Sequence, residues 1–450
     1  MGIHDPNYPM VSNGVTGGNY DYIIVGTGPG GATVGRDLVK AKKKVLFIEW
    51  GGFTGPGGGQ IQAFKEMLTP FKGMFVMPRQ ILGVVRAITV GGSSLYFYGS
   101  CVPLPLEMFK KRGVDLREPM AEVYRDIPYL KPLRDEVISP IARSTMEAAN
   151  SLGGIYNWKP IDKFIDSERI TPDWKFGVTD PRELKWTAHM WIREAMQLGA
   201  GLLTRSKVSK VLFEGKRAVG VEYKNKGKLH KAYANTIILA ASGIGTPIIL
   251  RKSGIMKNEI GTDFFFDPFA TITGQHPHLT RIQSEIPMQT GQYFPDDHFV
   301  MTDFYVPGYI IENMLNLEVG RVDHLFKMKH TSSIMIKLAD EMKGGTLGPG
   351  GYPFKHMSKI DWKRMKVGVQ RGKDVLKKAG CKDVHGLWYV GAHPGGTVRL
   401  GTALDHNLQT PYDNLYVCDC SVIPEPCGLP PVLTVMALGK HLSKHLLSKK

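Results

Sequence analysis

Cysteine is scarce in this chain of 450 residues. Its five cysteines are an odd and sparse set, which argues against a disulfide framework and indicates a reducing compartment. We expect ordinary buried thiols and no metal site, because Cys418 and Cys420 alone provide too few ligands for a metal ion.

Long apolar runs are also missing. The longest, "TIILAASGIGTPIIL", is interrupted by glycine and proline and falls short of the roughly 20 residues that a membrane-spanning helix requires. The N-terminal segment "MGIHDPNYPMVSNGVTGG" lacks the apolar core of a signal peptide. We therefore expect a cytoplasmic protein, with a peripheral position at a membrane as the alternative.

Acidic residues are fewer than basic ones, 41 against 57, which gives a formal net charge of +16. The excess indicates attraction to an anionic cofactor, substrate or surface, although a solvated lysine-rich exterior explains runs such as Lys40–Lys44. No recognisable nucleic-acid-binding module accompanies the charge. Nucleic acid is therefore not an expected partner.

A glycine-rich turn follows the first apolar segment in "YDYIIVGTGPGGATVGRDLVKAKKKVLFIEWGG". Gly26, Gly28 and Gly31 fit the pattern G-x-G-x-x-G between a strand and a helix, where glycines let a pyrophosphate approach the helix N-terminus. Glu49 ends the next strand, at the distance where an acid binds ribose hydroxyls. No second fingerprint occurs, so a nicotinamide cofactor beside the first dinucleotide is not expected.

Two further elements are predicted from pattern alone. The segment from Glu183 to Leu203 has a helical period, and the alternating run that follows it predicts a β-meander. Near the C-terminus, Pro430 and Pro431 suit the first turn of a helix that continues to about Leu447. The positive end of that helix should face a group that is or becomes anionic.

Five more segments follow the fingerprint in order: "GGSS", "SKVSKVLFEGKRAVGVEY", "IILAASGIGTPIILRKSGI", "HPGGTVRLG" and "NLYVCDCSVIPEPCGLPPVLTVMALGK". Together they resemble the glucose-methanol-choline (GMC) family of FAD-dependent oxidoreductases, of which this chain would be a short form. The matching segments lie towards both ends of the chain, and the stretch from about 270 to 385 matches only loosely. Such a resemblance is more specific for fold and cofactor than for substrate.

The resemblance implies an α/β fold with a Rossmann-like FAD-binding domain, made of the βαβ unit and the meander, and an inserted α+β substrate-binding lobe. We predict the FAD domain at 17–158, 185–270 and 390–450. The substrate lobe is predicted at 159–184 and 271–389.

The resemblance also implies cofactor contacts at numbered positions. The turn Gly92, Ser93, Ser94 would lie beside the flavin, and the main chain of Val208 would meet the adenine. Asp419 would lie at the pyrophosphate and ribityl region. The free N–H groups from Val432 onward would stabilise charge at the N1 and C2=O edge of the flavin.

His393 matches the active-site histidine of the family. Imidazole titrates near neutrality, so it can accept a hydroxyl proton as the carbinol hydrogen leaves as hydride toward flavin N5. The second His or Asn of the family is Pro430 here, whose side chain neither donates nor accepts. Tyr96, Tyr98, or a histidine of "GQHPHL" (His276, His278) are the candidate replacements.

Two other departures concern the flavin. Tyr96 stands where some members carry a histidine that bonds covalently to FAD, so non-covalent FAD is expected. Phe97 follows the serines where a small or amide residue is usual, which indicates an aromatic floor and an apolar or aromatic small-molecule substrate. The run "DFFFDPF" supplies either further walls or core packing.

Three functions remain open from sequence. The first is an FAD-dependent dehydrogenase that oxidises a hydroxyl group, with His393 as general base and an external electron acceptor. The second is a reductase, isomerase or lyase on the same fold, favoured by Pro430. The third is a basic electron-transfer subunit at a membrane surface, favoured by the C-terminal "GKHLSKHLLSKK".

Overall fold

A computed structural model describes 20–53, 74–77, 82–176, 180, 182–255, 260–282, 286–305, 316–317, 319–325, 327–348 and 351–449. The first three residues of the predicted FAD domain, 17–19, and the N-terminal segment searched for a signal peptide lie outside these ranges. Across the described residues, none of the helices is both long enough and apolar enough to cross a membrane.

The N-terminal unit is the predicted βαβ motif. Strand β1 (Tyr20–Val25) leads through the glycine turn into helix α1 (Pro29–Lys40), and β2 (Val45–Ile48) returns parallel to β1. Proline at the first helical position and a glycine N-cap set where α1 begins. All four residues of β2 are buried, as expected for a strand inside a parallel sheet.

The first sheet has seven strands in the order β8-β2-β1-β11-β10-β9, and β19 pairs with β11. Its remaining strands are β8 (Gly201–Leu203), β9 (Ser206–Glu214), β10 (Arg217–Asn225), β11 (Lys228–Leu239) and β19 (Leu415–Val417). The pairs around β1 are parallel, whereas β9, β10 and β11 form an antiparallel meander. The predicted α/β fold with βαβ unit and meander is confirmed.

The second sheet has eight strands in the order β3-β4-β18-β12-β15-β14-β13-β6 and is antiparallel except where β18 meets β4. Its strands are β3 (Met74–Met77), β4 (Leu82–Val85), β6 (Lys159–Pro160), β12 (Pro268–Gln275), β13 (Thr290–Phe294), β14 (Phe299–Phe304), β15 (Thr331–Leu338) and β18 (Lys382–Gly391). Two of them, β3 and β4, fall within 17–158, so the domain boundaries stay a prediction.

The other strands are short: β5 (Lys131–Pro132), β7 (Asp162–Lys163), β16 (Thr346–Leu347) and β17 (Pro353–Phe354). The remaining helices are α2 (Glu107–Lys110), α3 (Arg117–Asp126), α4 (Pro140–Ser151), α5 (Ala188–Gln197), α6 (Ser242–Lys252), α7 (Lys359–Lys378) and α8 (Val432–Ser448). Helix α7 packs on the second sheet, where a Cβ on Gly368 would lie 2.5 Å from the Ile336 side chain.

The helix predicted over Glu183 to Leu203 is shorter than expected. Helix α5 covers only Ala188–Gln197, and β8 takes the last three residues of the range. Gly199 has φ of +103°, a left-handed conformation that commonly ends a helix. The helical period of the sequence therefore continues past the residue at which the helix ends.

Helix α8 begins at Val432, with Pro431 as its N-cap, so both prolines lie just outside the helix. It packs against α1 at short range: a Cβ on Gly30 would lie 3.1 Å from the Val435 side chain, and one on Gly439 would lie 2.8 Å from Thr33 Cβ. This packing places the first turn of α8 against the first turn of α1.

The C-terminal half of α8 does not present an apolar stripe at the surface. Leu442 and Leu446 are buried, and Lys440 Nζ lies 2.8 Å from a carboxylate oxygen of Asp37 on α1. Of the three leucines that suggested a membrane contact, only Leu447 is exposed. The feature that suggested a membrane-surface subunit is therefore mostly internal packing.

Candidate active site

The three fingerprint glycines meet different surroundings. Gly26 has φ of +102°, and a Cβ there would lie 2.3 Å from the Ala240 carbonyl oxygen. A Cβ on Gly31 would lie 2.4 Å from the Gly26 carbonyl oxygen. Around Gly28 nothing lies within 4 Å of the added carbon. Backbone atoms therefore pack closely against Gly26 and Gly31, whereas the space beside Gly28 is open.

Glu49 accepts hydrogen bonds from Thr27 of the glycine turn and from Gly51, two residues after it. Its carboxylate accepts from the Thr27 N–H (3.1 Å), the Thr27 hydroxyl (2.8 Å) and the Gly51 N–H (2.7 Å). Burial raises the pKa of Glu49, and these hydrogen bonds oppose the rise. The Ser206 N–H donates to the Glu49 carbonyl, which brings the start of β9, two residues before Val208, beside this acid.

The "GGSS" segment is a 3-10 turn, Gly92–Leu95, that abuts the fingerprint. A Cβ on Gly92 would lie 3.2 Å from the Gly28 Cα, and the Gly91 N–H donates to the Thr27 hydroxyl. The hydroxyl of Ser94 donates to the Gly91 carbonyl at 2.6 Å and accepts from the Ala188 N–H. The exposed Ser93 accepts from the Ala87 N–H, so the two serines fix the turn from both sides.

Asp419 caps helix α6 from another part of the chain. It is buried, and it accepts from the Ser242 N–H (2.9 Å), the Thr246 hydroxyl (2.6 Å) and the Ser421 N–H (2.7 Å). Burial raises its pKa, and the three hydrogen bonds oppose the rise. Asp419 therefore fixes the segment after β19 to the start of α6.

These features fit the FAD that the resemblance implies. The space in front of Gly28 is open, and neither α1 nor α8 has a side-chain cap at its N-terminus, so both helices offer N–H groups to an anion. The individual contacts of Val208, Asp419, Val432 and the serine turn with the cofactor stay predictions.

His393 follows β18 and has φ of +53°, in the left-handed region. Its Nδ1 lies 3.1 Å from a carboxylate oxygen of Asp267, whose other oxygen accepts from the Gly428 N–H at 3.2 Å. Its Nε2 lies 3.5 Å from Lys337 Nζ. The His393 side chain is 27% exposed and that of Asp267 only 3%. The imidazole therefore reaches an accessible space while its carboxylate partner is enclosed.

The hydrogen-bond partners assign the tautomer of His393. Asp267 as a carboxylate requires the Nδ1–H of the ring, so Nε2 carries the lone pair and faces the ammonium of Lys337. Burial, and then Lys337, hold the pKa of His393 well below its ordinary value. The neutral ring is the form that accepts a proton.

The charges beside His393 are themselves perturbed. Burial lowers the pKa of Lys337 and raises that of Asp267, and each charge opposes the shift of the other. A second buried pair supports the first: Asp340 accepts from the Phe266 and Asp267 N–H groups, and its other oxygen lies 2.6 Å from Lys355 Nζ. Both side chains of that second pair are fully buried.

Asp267 and Lys337 were missed by sequence reasoning. Each is a single charge within an apolar run, in "FFFDPF" and "IMIKLA", and charged residues in such runs are seldom buried without a partner. That pattern was the available signal. Their partnership with His393 follows from the register of β12 and β15, which pairs Phe269 with Lys337.

Three of the four proposed replacements for the second His or Asn contact residues other than His393 in the described part of the chain: His276, His278 and Tyr98. His276 directly follows β12 and Asp267 directly precedes it, so the two lie roughly 30 Å apart along the strand. His278 lies beyond His276, to whose ring it donates its N–H. Tyr98 packs against Phe176 and Phe304, and Tyr96 ends the serine turn.

The aromatic residues named in the sequence differ in burial. Phe264, Phe265 and Phe266 are buried in the two main hydrophobic cores, which favours core packing for that run. Phe97 is partly buried and lies against Phe164, with ring centroids 5.6 Å apart.

The structure describes all five cysteines and the possible metal ligands of the ranges given above. All five cysteines are free, four of them are buried, and Cys420 is partly exposed. No group of three or more His, Cys, Asp or Glu side chains that could hold a metal ion occurs in the described part of the chain.

Similar proteins were found by sequence and by structure. Over 95% of this chain, an uncharacterised protein of Methanocaldococcus jannaschii is 26% identical across its whole length, and a long-chain-alcohol oxidase of Arabidopsis thaliana is 21% identical across 67% of its length. An oxygen-dependent choline dehydrogenase of Staphylococcus aureus is 26% identical over 54% of this chain. The match spans about half the length of that dehydrogenase, 48%.

A solved structure shares the fold. Pyridoxine 4-oxidase from Mesorbium loti superposes with a TM-score of 0.74 at 17% identity, over 96% of this chain and 100% of that one. Two family models, both described as GMC oxidoreductase, match residues 20–269 and 355–439. The first alone covers more than half of the sequence. The chain belongs to the GMC family of FAD-dependent oxidoreductases, which act on CH–OH groups of small molecules.

Proposed function

We propose that this protein is an FAD-dependent dehydrogenase that oxidises a hydroxyl group of a small, apolar or aromatic alcohol, with His393 as the general base. The observation that carries the proposal is the pairing of His393 Nδ1 with the enclosed Asp267, which leaves Nε2 as the accepting nitrogen of a partly exposed side chain. A base oriented by a buried carboxylate is a recurring arrangement in enzymes that abstract protons.

FAD, when bound, would supply the hydride acceptor, N5 of its isoalloxazine ring. His393 Nε2 accepts the hydroxyl proton, and Asp267 stabilises the imidazolium that results through the Nδ1–H. The Gly428 N–H holds Asp267 in place from the loop that leads into α8. The N–H groups at the start of α8, from Val432 onward, are assigned to the edge of the flavin that gains negative charge.

The two sheets support a division into two lobes, which we propose with the predicted boundaries. The first sheet, α1, α6 and α8 would form the FAD domain at 17–158, 185–270 and 390–450. The second sheet and α7 would form the substrate lobe at 159–184 and 271–389, joined by the strands β3 and β4 of the first range. His393 and Asp267 lie at junctions between these ranges, where a substrate can meet both lobes.

The experiment is an anaerobic test of flavin bleaching. The purified holoenzyme is mixed with a panel consisting of a long-chain primary alcohol, benzyl alcohol, pyridoxine and choline, and the flavin spectrum is followed. Loss of the oxidised flavin spectrum together with formation of the aldehyde supports the proposal. Admission of oxygen or of an artificial electron acceptor afterwards tells an oxidase from a dehydrogenase.

Pro430 favours one competing function, a reductase on the same fold, because the usual partner of the substrate oxygen is missing there. That function predicts the opposite result: no alcohol reduces the flavin, whereas dithionite-reduced enzyme is reoxidised anaerobically by an aldehyde or an activated alkene. Reoxidation of this kind without any bleaching by alcohols would replace the dehydrogenase proposal.

Gly28→Ala tests the predicted position of the cofactor. Nothing obstructs the new Cβ in the protein itself, so the Tm of the FAD-free protein should stay close to the wild-type value. The Cβ would occupy the space assigned to the pyrophosphate, so the FAD dissociation constant should rise tenfold or more, about 1.4 kcal/mol. Equilibrium dialysis of FAD measures it.

Gly30→Ala is the matched control for this prediction. Its Cβ would lie 2.0 Å from the Cys418 carbonyl oxygen, so it should lower the Tm of the FAD-free protein, which Gly28→Ala should not do. Unchanged FAD affinity in Gly28→Ala would contradict the assigned cofactor position.

Non-covalent attachment of FAD predicts the outcome of acid precipitation. Tyr96 is the residue at the position where some relatives link FAD covalently, so we expect the flavin colour to move entirely into the supernatant. Absorption spectra of pellet and supernatant measure the fraction released. Colour retained in the pellet would contradict the assignment of Tyr96.

A further inference from the structure

Among the described residues around His393, the position of the second His or Asn of the family offers no partner for the substrate oxygen. Pro430 occupies the position of the second His or Asn, and a proline side chain offers neither a donor nor an acceptor. An alcohol that gives up its proton carries growing negative charge on oxygen, and enzymes usually place a preorganised donor at such an oxygen. The inference below rests on the proposed function and concerns the source of that donor.

Lys337 reaches His393 from β15 of the second sheet. It lies on β15 opposite Phe269 of β12, it is 3% exposed, and its Nζ lies 3.5 Å from His393 Nε2. The backbone of its strand touches the loop before α8: a Cβ on Gly428 would lie 2.8 Å from the Ala339 nitrogen and 3.0 Å from the Lys337 carbonyl oxygen. Lys337 is therefore next to the loop that carries Pro430.

The electrostatic setting favours a cation at this place. Asp267, on the Nδ1 side of the imidazole, stabilises the charged form of Lys337, which opposes the effect of burial. The neutral ring of His393 lies in contact with both, so one negative and one positive charge flank an uncharged base. The lone pair on Nε2 and the ammonium donor on Nζ thus lie 3.5 Å apart.

We propose that the Lys337 ammonium binds the carbinol oxygen of the substrate and stabilises its developing negative charge, replacing the second His or Asn of the family. The hydroxyl oxygen accepts from Nζ while its proton points at His393 Nε2. The O–H bond breaks and the proton stays on Nε2. The C–H bond breaks and the C–O bond becomes a C=O bond, and FAD, when bound, would take up the hydrogen together with the electron pair of the C–H bond.

The alternative role for Lys337 is structural, as a counter-ion that only neutralises Asp267 inside the protein. The two roles differ in what a neutral side chain does. Lys337→Met removes the donor from the substrate oxygen, and loss of one such donor typically slows the chemical step by about 10²–10³-fold. Lys337→Arg keeps a cation with a fixed charge and should retain much of the rate.

The test uses the holoenzyme and the panel alcohol that bleaches the wild-type flavin fastest. The rate constant of anaerobic flavin reduction is measured at saturating alcohol for the wild type, Lys337→Met and Lys337→Arg, together with FAD content and Tm. Lys440→Met is the control, because it removes another buried lysine whose partners are Asp37 and Asp126. We expect a loss of about 10²-fold or more in Lys337→Met only.

The pH profile separates a catalytic ammonium from a counter-ion. Burial lowers the pKa of Lys337 to about 8, so the wild-type rate should fall as the pH rises through that value and the ammonium loses its proton. In Lys337→Arg this alkaline fall should disappear, because guanidinium stays protonated. The groups that face Lys337 or its partner Asp267 are His393, Asp340, Lys355, Tyr293, Cys420 and Cys427.

The possible results distinguish failure of the inference about Lys337 from failure of the proposed function. Flavin reduction in folded, FAD-loaded Lys337→Met at the wild-type rate would overturn the inference and leave the proposed function intact. If Lys337→Met does not fold, Lys337→Arg decides, because an unchanged alkaline fall in that variant would also overturn it. A wild-type flavin that no alcohol reduces would overturn the proposed function, and the inference with it.

Discussion

His393→Asn is expected to slow anaerobic reduction of the bound FAD by about 10²–10⁴-fold, which is the usual contribution of a positioned general base. Asparagine is the right replacement because the residue has φ of +53°, a conformation that asparagine adopts more easily than alanine does. The variant therefore loses the accepting nitrogen without adding backbone strain. Stopped-flow absorbance at saturating alcohol gives the rate constant.

Two further variants serve as a control and a comparison for His393→Asn. His441→Asn is the control, since that histidine lies on α8 and contacts the His406 carbonyl oxygen rather than the site. Asp267→Asn should slow the reaction less than His393→Asn does, because it weakens the orientation of the imidazole and leaves Nε2 in place. A His393→Asn rate within a few-fold of the wild type, at equal FAD content, would show that another group takes the proton.

Lys355→Met is expected to lower the free energy of unfolding by about 3–5 kcal/mol, the usual cost of leaving a buried charge without its partner. Lys355 Nζ lies 2.6 Å from Asp340 and donates to the Phe264 carbonyl at 2.7 Å, with both charged side chains fully enclosed. Urea denaturation of the FAD-free protein, followed by tryptophan fluorescence, measures the change.

The double variant Lys355→Met, Asp340→Asn separates the buried charge from the loss of packing. Asparagine still accepts from the Phe266 and Asp267 N–H groups but carries no charge, so the double variant should regain part of the lost stability. If the single variant were as stable as the wild type, the Lys355–Asp340 pair would not contribute to the free energy of unfolding as we expect. A double variant no more stable than the single one would assign the loss to packing.

The sequence predicted the first sheet and the helices α1 and α8 well because their signals are local. Gly26, Gly28 and Gly31 lie within a few residues of one turn, between β1 and the start of α1. The meander from Ser206 to Leu239 has clear turns between its strands. The start of α8 was predicted from two prolines and observed at Val432. Such features depend on neighbours along the chain, which a pattern can show.

The second sheet could not be predicted in the same way. All eight residues of β15 are buried, so the strand shows no alternation of polar and apolar residues. Asp267, Lys337 and His393 come from segments widely separated in sequence and meet only through the pairing of β12 with β15 and β18. Contacts of this kind follow from strand register, which the sequence of one chain does not display.

The most direct measurement follows the carbinol hydrogen itself. A primary alcohol with two deuterium atoms on its carbinol carbon is mixed anaerobically with the wild-type holoenzyme for a single turnover, and the flavin spectrum and the mass of the organic product are recorded. We predict reduced flavin and an aldehyde that retains one deuterium, because the other leaves as the hydride. Oxidised flavin, with every alcohol of the panel recovered carrying both deuterium atoms, would contradict the central claim.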